Sequence, residues 1–376
     1  MLHGAFVFRF IVFHRSSTGP SAREAIGQNR VMRRCVCSFV ICLSSASMLA
    51  FCARSRGNEL TLVGLDTDPL LDRAIFRRLV SHPDHHVRFA DSGAASSNVD
   101  AESQTDDAWF IESQRYGADL VEAGRLCRDP QIVELGWKLI EWGFARQGPD
   151  GSFPGTGDPF HSTSFFVEAV ARALLVTQQT NSADDRARTQ RYAPRLSAAA
   201  HWMLGPKVLP RGLNNNRPYA HRRWLLAAAL GEAARLVPDP ALVDLAEDQA
   251  REGLALQRPD GVNPEKDGFD VSYQAAGLMF AARYYTVCDD QALRASIQKM
   301  LERGLDWELT KIAPGGQIDV EGSTRVTNET GRTGTAKTVD YKAIVFALTY
   351  GAKILDRRDY HSAAERVARH LRWIKD

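Results

Sequence analysis

The stretch PYAHRRWLLAAALGEAARL, residues 218–236, decides the fold. Its centre, residues 225–230, is wholly apolar or small, a pattern a helix tolerates only when it is covered on most sides. After the short link Val237-Pro238-Asp239, the stretch 240–256 also reads as a helix. It carries a charged face of Asp244, Glu247, Asp248, Arg251 and Glu252. An inner, covered helix followed by an outer, half-wet one is a helix hairpin, and this hairpin recurs. Inner segments open near residues 108, 163, 217, 271 and 339, at spacings of 55, 54, 54 and 68 residues. A period of this size marks an array, because one hairpin cannot bury its own apolar face and needs neighbours.

The pattern predicts hairpins pairing 108–127 with 130–146, 164–177 with 183–203, 218–236 with 240–256, 272–288 with 291–307, and 341–355 with 360–374. Asp106 and Asp107 suit the start of the first, and Pro130 suits a first helical turn. Inner-to-outer links are short. Outer-to-inner links are long: 148–163, 205–217, 258–271 and 308–340. The expectation is an all-α (α/α) toroid of five to six hairpins, with a helix near 70–80 belonging to the sixth and the long loops gathered at one mouth. An open solenoid is the alternative. Ile318, Val320, Thr324, Val326 and Thr327 suggest a short β-hairpin within 309–338.

The division is a leader at 1–57, an N-terminal helix and loop at 58–107, and the toroid at 108–376. Met32-Arg33-Arg34, the apolar run 36–50 and the basic stop at Arg54 and Arg56 have the layout of a secretory signal starting at Met32. An exported protein is therefore expected, whether periplasmic, extracellular or lipid-anchored. Four of the six cysteines (Cys35, Cys37, Cys42, Cys52) lie in that leader. Cys127 and Cys288 remain, to bridge or to stay as buried thiols. A formal charge of +2 over 376 residues gives no sign of a nucleic-acid binder. No metal motif or cofactor fingerprint stands out; Asp319 with Glu321 is at most a weak calcium signal.

Two long loops share a turn, Gln147-Gly148-Pro149-Asp150-Gly151 and Gln257-Arg258-Pro259-Asp260-Gly261. Asp150-Gly151-Ser152-Phe153, the run Asn214-Asn215-Asn216, and Asp270-Val271-Ser272-Tyr273-Gln274 at a helix start resemble the (α/α) toroid polysaccharide lyases. These cleave alginate, chondroitin or hyaluronan. The resemblance covers short pieces within about 108–355, and the order of pieces departs from that of the chondroitin lyases, where the Asn pair comes first.

That resemblance implies an enzyme that cleaves an acidic, uronate-containing polysaccharide or oligosaccharide by β-elimination. A base takes the C5 proton of a uronic acid and an acid protonates the leaving glycosidic oxygen. The neighbouring carboxylate must be neutralised by amides, His or Arg. Tyr serves where cations surround it. The catalytic set expected here is Tyr273, His221, Asn215 and Arg325. Asn214, Asn216, Arg217, Tyr219, Arg222, His161, Gln274, Arg332 and Tyr341 are expected to bind substrate. By the period, Tyr219 and Tyr341 are rivals of Tyr273.

Two alternatives stand beside this one. A glycoside hydrolase on the same toroid needs paired carboxylates, from Asp150, Asp158, Asp260, Asp267, Asp270, Asp319 or Glu321. A non-catalytic carbohydrate-binding repeat protein is the other, against which the long, chemically varied loops speak.

Overall fold

A computed structural model describes residues 88–103, 108–179, 182–331, 334 and 336–374, together with Leu71, Arg73, Ala74, Ile75, Arg77 and Arg78. The leader expected at 1–57, its four cysteines and Arg332 lie outside the described residues. The helices are α1 (Asn98–Ser103), α2 (Tyr116–Cys127), α3 (Pro130–Phe144), α4 (Pro159–Gln178), α5 (Ala183–Met203) and α6 (Leu209–Asn216). They continue as α7 (Ala220–Leu236), α8 (Pro240–Leu256), α9 (Val271–Val287), α10 (Gln291–Leu309), α11 (Tyr341–Leu355) and α12 (Arg358–His370).

Asp side chains start several of them. Asp129 caps α3, Asp239 α8, Asp290 α10, Asp270 α9 and Asp340 α11, each accepting from backbone N–H groups of the first turn. Proline follows in the first turn of α3 and α8, where no N–H is needed.

The inner helices α2, α4, α7, α9 and α11 pack side by side in that order, and α3, α5, α8, α10 and α12 back them. Residues 225–230 of α7 are 0% exposed, as covered inner helices must be. Each fully buried Leu there contributes roughly 1.5–3 kcal/mol of burial. Lys342 at the start of α11 reaches Asp119 of α2 at 2.8 Å, tying the last inner helix to the first. Leu71 and Ile75 are buried in the same core. The arrangement is an all-α (α/α) toroid.

The repeated turn is what seats one hairpin on the next. In each copy a glycine at positive φ sits against a carbonyl of the following outer helix. A Cβ on Gly93 would lie 2.5 Å from the Lys138 oxygen. The corresponding distances are 2.1 Å for Gly151 to Ala198, 2.3 Å for Gly261 to Arg303 and 2.3 Å for Gly316 to Arg366. Only glycine permits both the backbone conformation and the approach. The two Pro-Asp-Gly copies were legible in the sequence; the copies at Gly93 and Gly316 carry no Pro-Asp and were not. After α5 the turn is replaced by α6.

Several expectations need correction. The Asn run is not a loop but the end of α6. No β-hairpin forms in 309–338: among the described residues this excursion has only isolated bridges, Ile312 with Ile318, Thr330 with Ala336, and Ser323 with Phe269. Its backbone is instead pinned from outside, since Asp270 accepts the Arg325 and Val326 N–H groups at 2.9 and 2.7 Å. The β-branched residues do not face one another across a hairpin: Thr324 and Val326 bond to Phe269 and Asp270 of the neighbouring loop, whereas Ile318 and Thr327 make separate local contacts with Ile312 and Lys337. The second inner helix opens at Pro159, so His161 stands inside its first turn instead of before it. Cys127 and Cys288 are free thiols, Cys288 buried. No described helix is long and apolar enough to cross a membrane.

Candidate active site

The N-terminal ends of the inner helices surround a cavity of about 630 Å³. His161 and Phe165 of α4, His221 and Arg222 of α7, and Tyr273, Ala276 and Phe280 of α9 form its upper wall. Arg325, Lys337 and Tyr341 of the excursion and α11 close it, and Glu112, Arg115 and Tyr116 complete the lining between α4 and α11. Cations dominate this lining, which suits an anionic ligand.

Tyr273 is the hub. It lies in the first turn of α9, one residue past the Ser272 whose N–H Asp270 also caps. The Arg325 guanidinium sits 3.5 Å from the centre of its ring and the Lys337 ammonium 5.2 Å. Such cation–π contacts favour a fixed ring position. The His221 ring lies 4.6 Å away, and beyond it are Tyr219 at 6.0 Å and His161 at 6.2 Å.

His221 is 2% exposed. Its Nδ1 is 2.7 Å from Glu265 Oε1, which also accepts the His221 backbone N–H at 3.0 Å. Burial pushes the imidazole below its ordinary pKa. Glu265 opposes that shift, and Arg325 and Arg222 reinforce it. The neutral ring therefore donates Nδ1–H to Glu265 and keeps a lone pair on Nε2, the geometry of a base in the cavity wall. Arg325 is itself held by Glu265, at 3.5 Å, and by Glu329, at 3.0 Å. Glu329 also pairs with Lys266 and Lys337, and although burial opposes it, these three cations bring its carboxyl down to about 2.

The other expected residues divide clearly. Tyr341 lines the cavity, and burial pushes its phenol up. Arg222 lines it too, held by Asn216 at 3.2 Å and Asp158 at 3.4 Å, with its guanidinium 4.5 Å over the Tyr219 ring. Tyr219 touches Arg222, Arg325 and His221 from behind without lining the cavity. Asn216 is buried and serves Arg222.

Asn214, Asn215 and Arg217 are exposed on α6 and its end, outside the cavity lining. The 54-residue period put them before an inner helix, but the extra helix turned them outward. Gln274 is a fastener: it accepts the Asn263 N–H and donates to the carbonyls of Gly261 and Gly304, as Gln114 does in the Gly93 copy of the turn.

None of the acids expected for a hydrolase lines the cavity. Asp150 and Asp260 brace their own turns, Asp270 is a buried cap, and Asp319 pairs with Lys311. Asp267 and Glu321 are exposed. The carboxylates that do line it are Glu112, Asp119, Glu168 and Asp340.

Sequence reading missed Glu265, Arg115, Lys337 and the charged residues deeper down, Asp119, Glu168, Arg172 and Arg283. A signal existed for the last group, since charges on otherwise apolar inner helices are rarely buried without partners. For Glu265 there was none, because only the folded loop brings it to His221.

No family model matches this chain, and no curated protein does. Among solved structures it is similar to the unsaturated glucuronyl hydrolase of Bacillus sp. GL1, described as responsible for the degradation of glycosaminoglycan. The TM-score is 0.51 at 15% identity, over 80% of this chain and 82% of that one. A UGL variant with dGlcA-Glc-Rha-Glc aligns at 14% identity and a TM-score of 0.47, with the same coverage. The first of these likenesses agrees with the (α/α) toroid described above and shows that fold alone.

Proposed function

We propose that this chain is a lyase that cleaves an acidic, uronate-containing polysaccharide by β-elimination. The observation that carries the reading is Tyr273, packed between the Arg325 guanidinium and a neutral His221 inside a cation-lined cavity. In the proposed step the C5–H proton passes to His221 Nε2 and the electron pair left on C5 is delocalised into the carboxylate as an enolate. As the C4–O bond breaks, that pair forms the C4–C5 double bond, and the Tyr273 hydroxyl gives its proton to the leaving oxygen. Arg325, with Arg222 and Lys337, neutralises the uronate carboxylate, the charge stabilisation that lowers the barrier to removing so weakly acidic a proton. Asn215, expected in that role, lies on the exposed face of α6 and takes no part. The leader starting at Met32 adds export to the reading.

A second reading rests on Glu112 and Asp340, both lining the cavity, and on the hydrolase named in the structural comparison. One assay separates the two. Elimination on an intact polyuronate creates a conjugated double bond and a rise in ultraviolet absorbance. An enzyme acting on unsaturated glucuronides removes that absorbance from lyase-made oligosaccharides. A rise on intact chains is expected; a fall on unsaturated ones, abolished in Glu112→Gln or Asp340→Asn, would replace the lyase reading with the hydrolase.

A further inference from the structure

The cavity does not stop at Tyr273. On α9 its lining continues through Ala276 and Phe280 to Arg283, and on α4 from His161 through Phe165 and Glu168 to Arg172. At 1.5 Å per helical residue, Arg283 lies about 15 Å below Tyr273, and Arg172 a similar depth below His161. The cavity is thus a shaft along the inner faces of the ring, with the proton-transfer groups at the top and two arginines at the bottom.

The bottom is a charged plug. Arg172 binds Asp119 at 3.0 Å, Glu122 at 2.7 Å and Glu168 at 3.0 Å, and Arg283 binds Glu168 at 2.7 Å. Glu232 of α7 lies at the same depth, eleven residues past His221, and is 0% exposed. Leu174, Thr177, Ala233 and Tyr284, which follow on the inner helices, are buried and do not line the cavity, so its lining ends at this level. Arg172 has a carboxylate on each of its nitrogens. Arg283 is held by one arm only. Its Nε is sealed in the wall, and among the described residues the only nitrogen bound is Nη1, on Glu168, while the side chain lines the cavity and stands among Phe280, Phe346 and Tyr350. Burial and the nearby Glu168 push the Glu232 carboxyl well up, which moves the plug away from net negative charge.

We propose that this floor is an anion subsite in which Arg283 holds the charged terminal residue of a uronate chain, so that the enzyme cuts from a chain end and releases one short oligosaccharide of fixed length. This rests on the lyase reading for the cut, but not for the binding. A chain entering a dead-ended shaft cannot thread through, and the distance from floor to Tyr273 sets the length released. A cavity-lining guanidinium bound by one arm only, in a water-poor site, gives a carboxylate a stronger charge-assisted hydrogen bond than exposed cations at the rim do.

Two measurements test it. The first is product length during digestion of a long polyuronate, read beside viscosity. A single short unsaturated product from the earliest times, with viscosity falling slowly, is expected. A ladder of lengths with rapid loss of viscosity overturns the inference and leaves the lyase intact. The second is calorimetric binding of size-defined oligoglucuronates and oligomannuronates, which needs no turnover. Arg283→Gln should weaken binding by roughly 10- to 100-fold, the worth of a hydrogen bond to a charged group, and Arg283→Lys should restore much of it. Equal affinities for wild type and Arg283→Gln, or no binding by the wild type, overturn the subsite whatever the first assay shows.

Discussion

His221 works in this reading because it is dry and pinned. Glu265 fixes which nitrogen carries the proton, and burial keeps the ring neutral. A group whose pKa is depressed on folding gives stability that is present above its unfolded value and lost as pH falls through the folded one. For His221 that loss sets in within the ordinary imidazole range, where the unfolded ring takes up its proton, and runs on below it, while the acid limb of kcat/KM should fall on the acidic side of that range. Glu265→Gln removes the charged acceptor and should cost about 10- to 100-fold in kcat, as loss of an orienting partner does, with a shifted pH profile. A profile unchanged from wild type would deny Glu265 its positioning role. Tyr273→Phe deletes one hydroxyl and should lower kcat on the order of 10²–10⁴-fold with an unchanged circular dichroism spectrum. Tyr219→Phe and Tyr341→Phe, assayed beside it, should retain most activity; if Tyr219→Phe alone abolishes turnover, the proton donor is Tyr219.

At the scale of elements, the site depends on caps and turns that touch no substrate. Asp270 starts α9 with one carboxylate oxygen and holds the Arg325–Val326 backbone with the other. Asp270→Ala should therefore lower unfolding free energy by about 1–3 kcal/mol, from a lost cap and two orphaned N–H groups, and reduce activity by loosening Arg325. Asp150→Asn, in an exposed turn, should leave turnover near wild type in the same assay. Gly151→Ala places a Cβ 2.1 Å from a backbone oxygen at a φ of +86°, so a loss of about 1–3 kcal/mol in denaturant unfolding is expected. The helix hairpins were readable because their 3.6-residue apolar periodicity and Asp-Pro starts are local. The missing β-hairpin and the extra helix α6 were not, because each is decided by what the loop packs against.

Across the whole molecule, the ring is closed by electrostatics as well as by packing. Asp119 meets both Arg172 and Lys342; burial alone would raise its pKa, yet these two cations hold it well below the carboxylate range. Its contribution to stability is present above the ordinary carboxylate pKa and is lost as acid is added. Lys342→Met should lower stability at neutral pH by about 1–3 kcal/mol and flatten the acid limb of the stability curve, both visible in urea titrations at a series of pH values.

By itself the sequence determined the hairpin array: the period, the covered inner helices, the charged outer faces and the long loops at one end all follow from local pattern and from the need of each hairpin to bury its apolar side. Closure into a ring was the expectation that the contact of Lys342 with Asp119 bears out. The sequence also brought forward Tyr273, His221, Arg222, His161 and Tyr341, since the start of an inner helix must lie at the mouth, and Arg325, since the long excursion must lie there too. Tertiary structure decided the rest. It turned Asn214 and Asn215 away, tied Gln274 to a turn, and brought Glu265 and Glu329 to residues tens of positions distant. It also set Arg172 and Arg283 at the bottom of a closed shaft. Periodicity fixes a residue's height on its helix, but which charges meet across the ring depends on loops and neighbouring helices whose contacts no local pattern records.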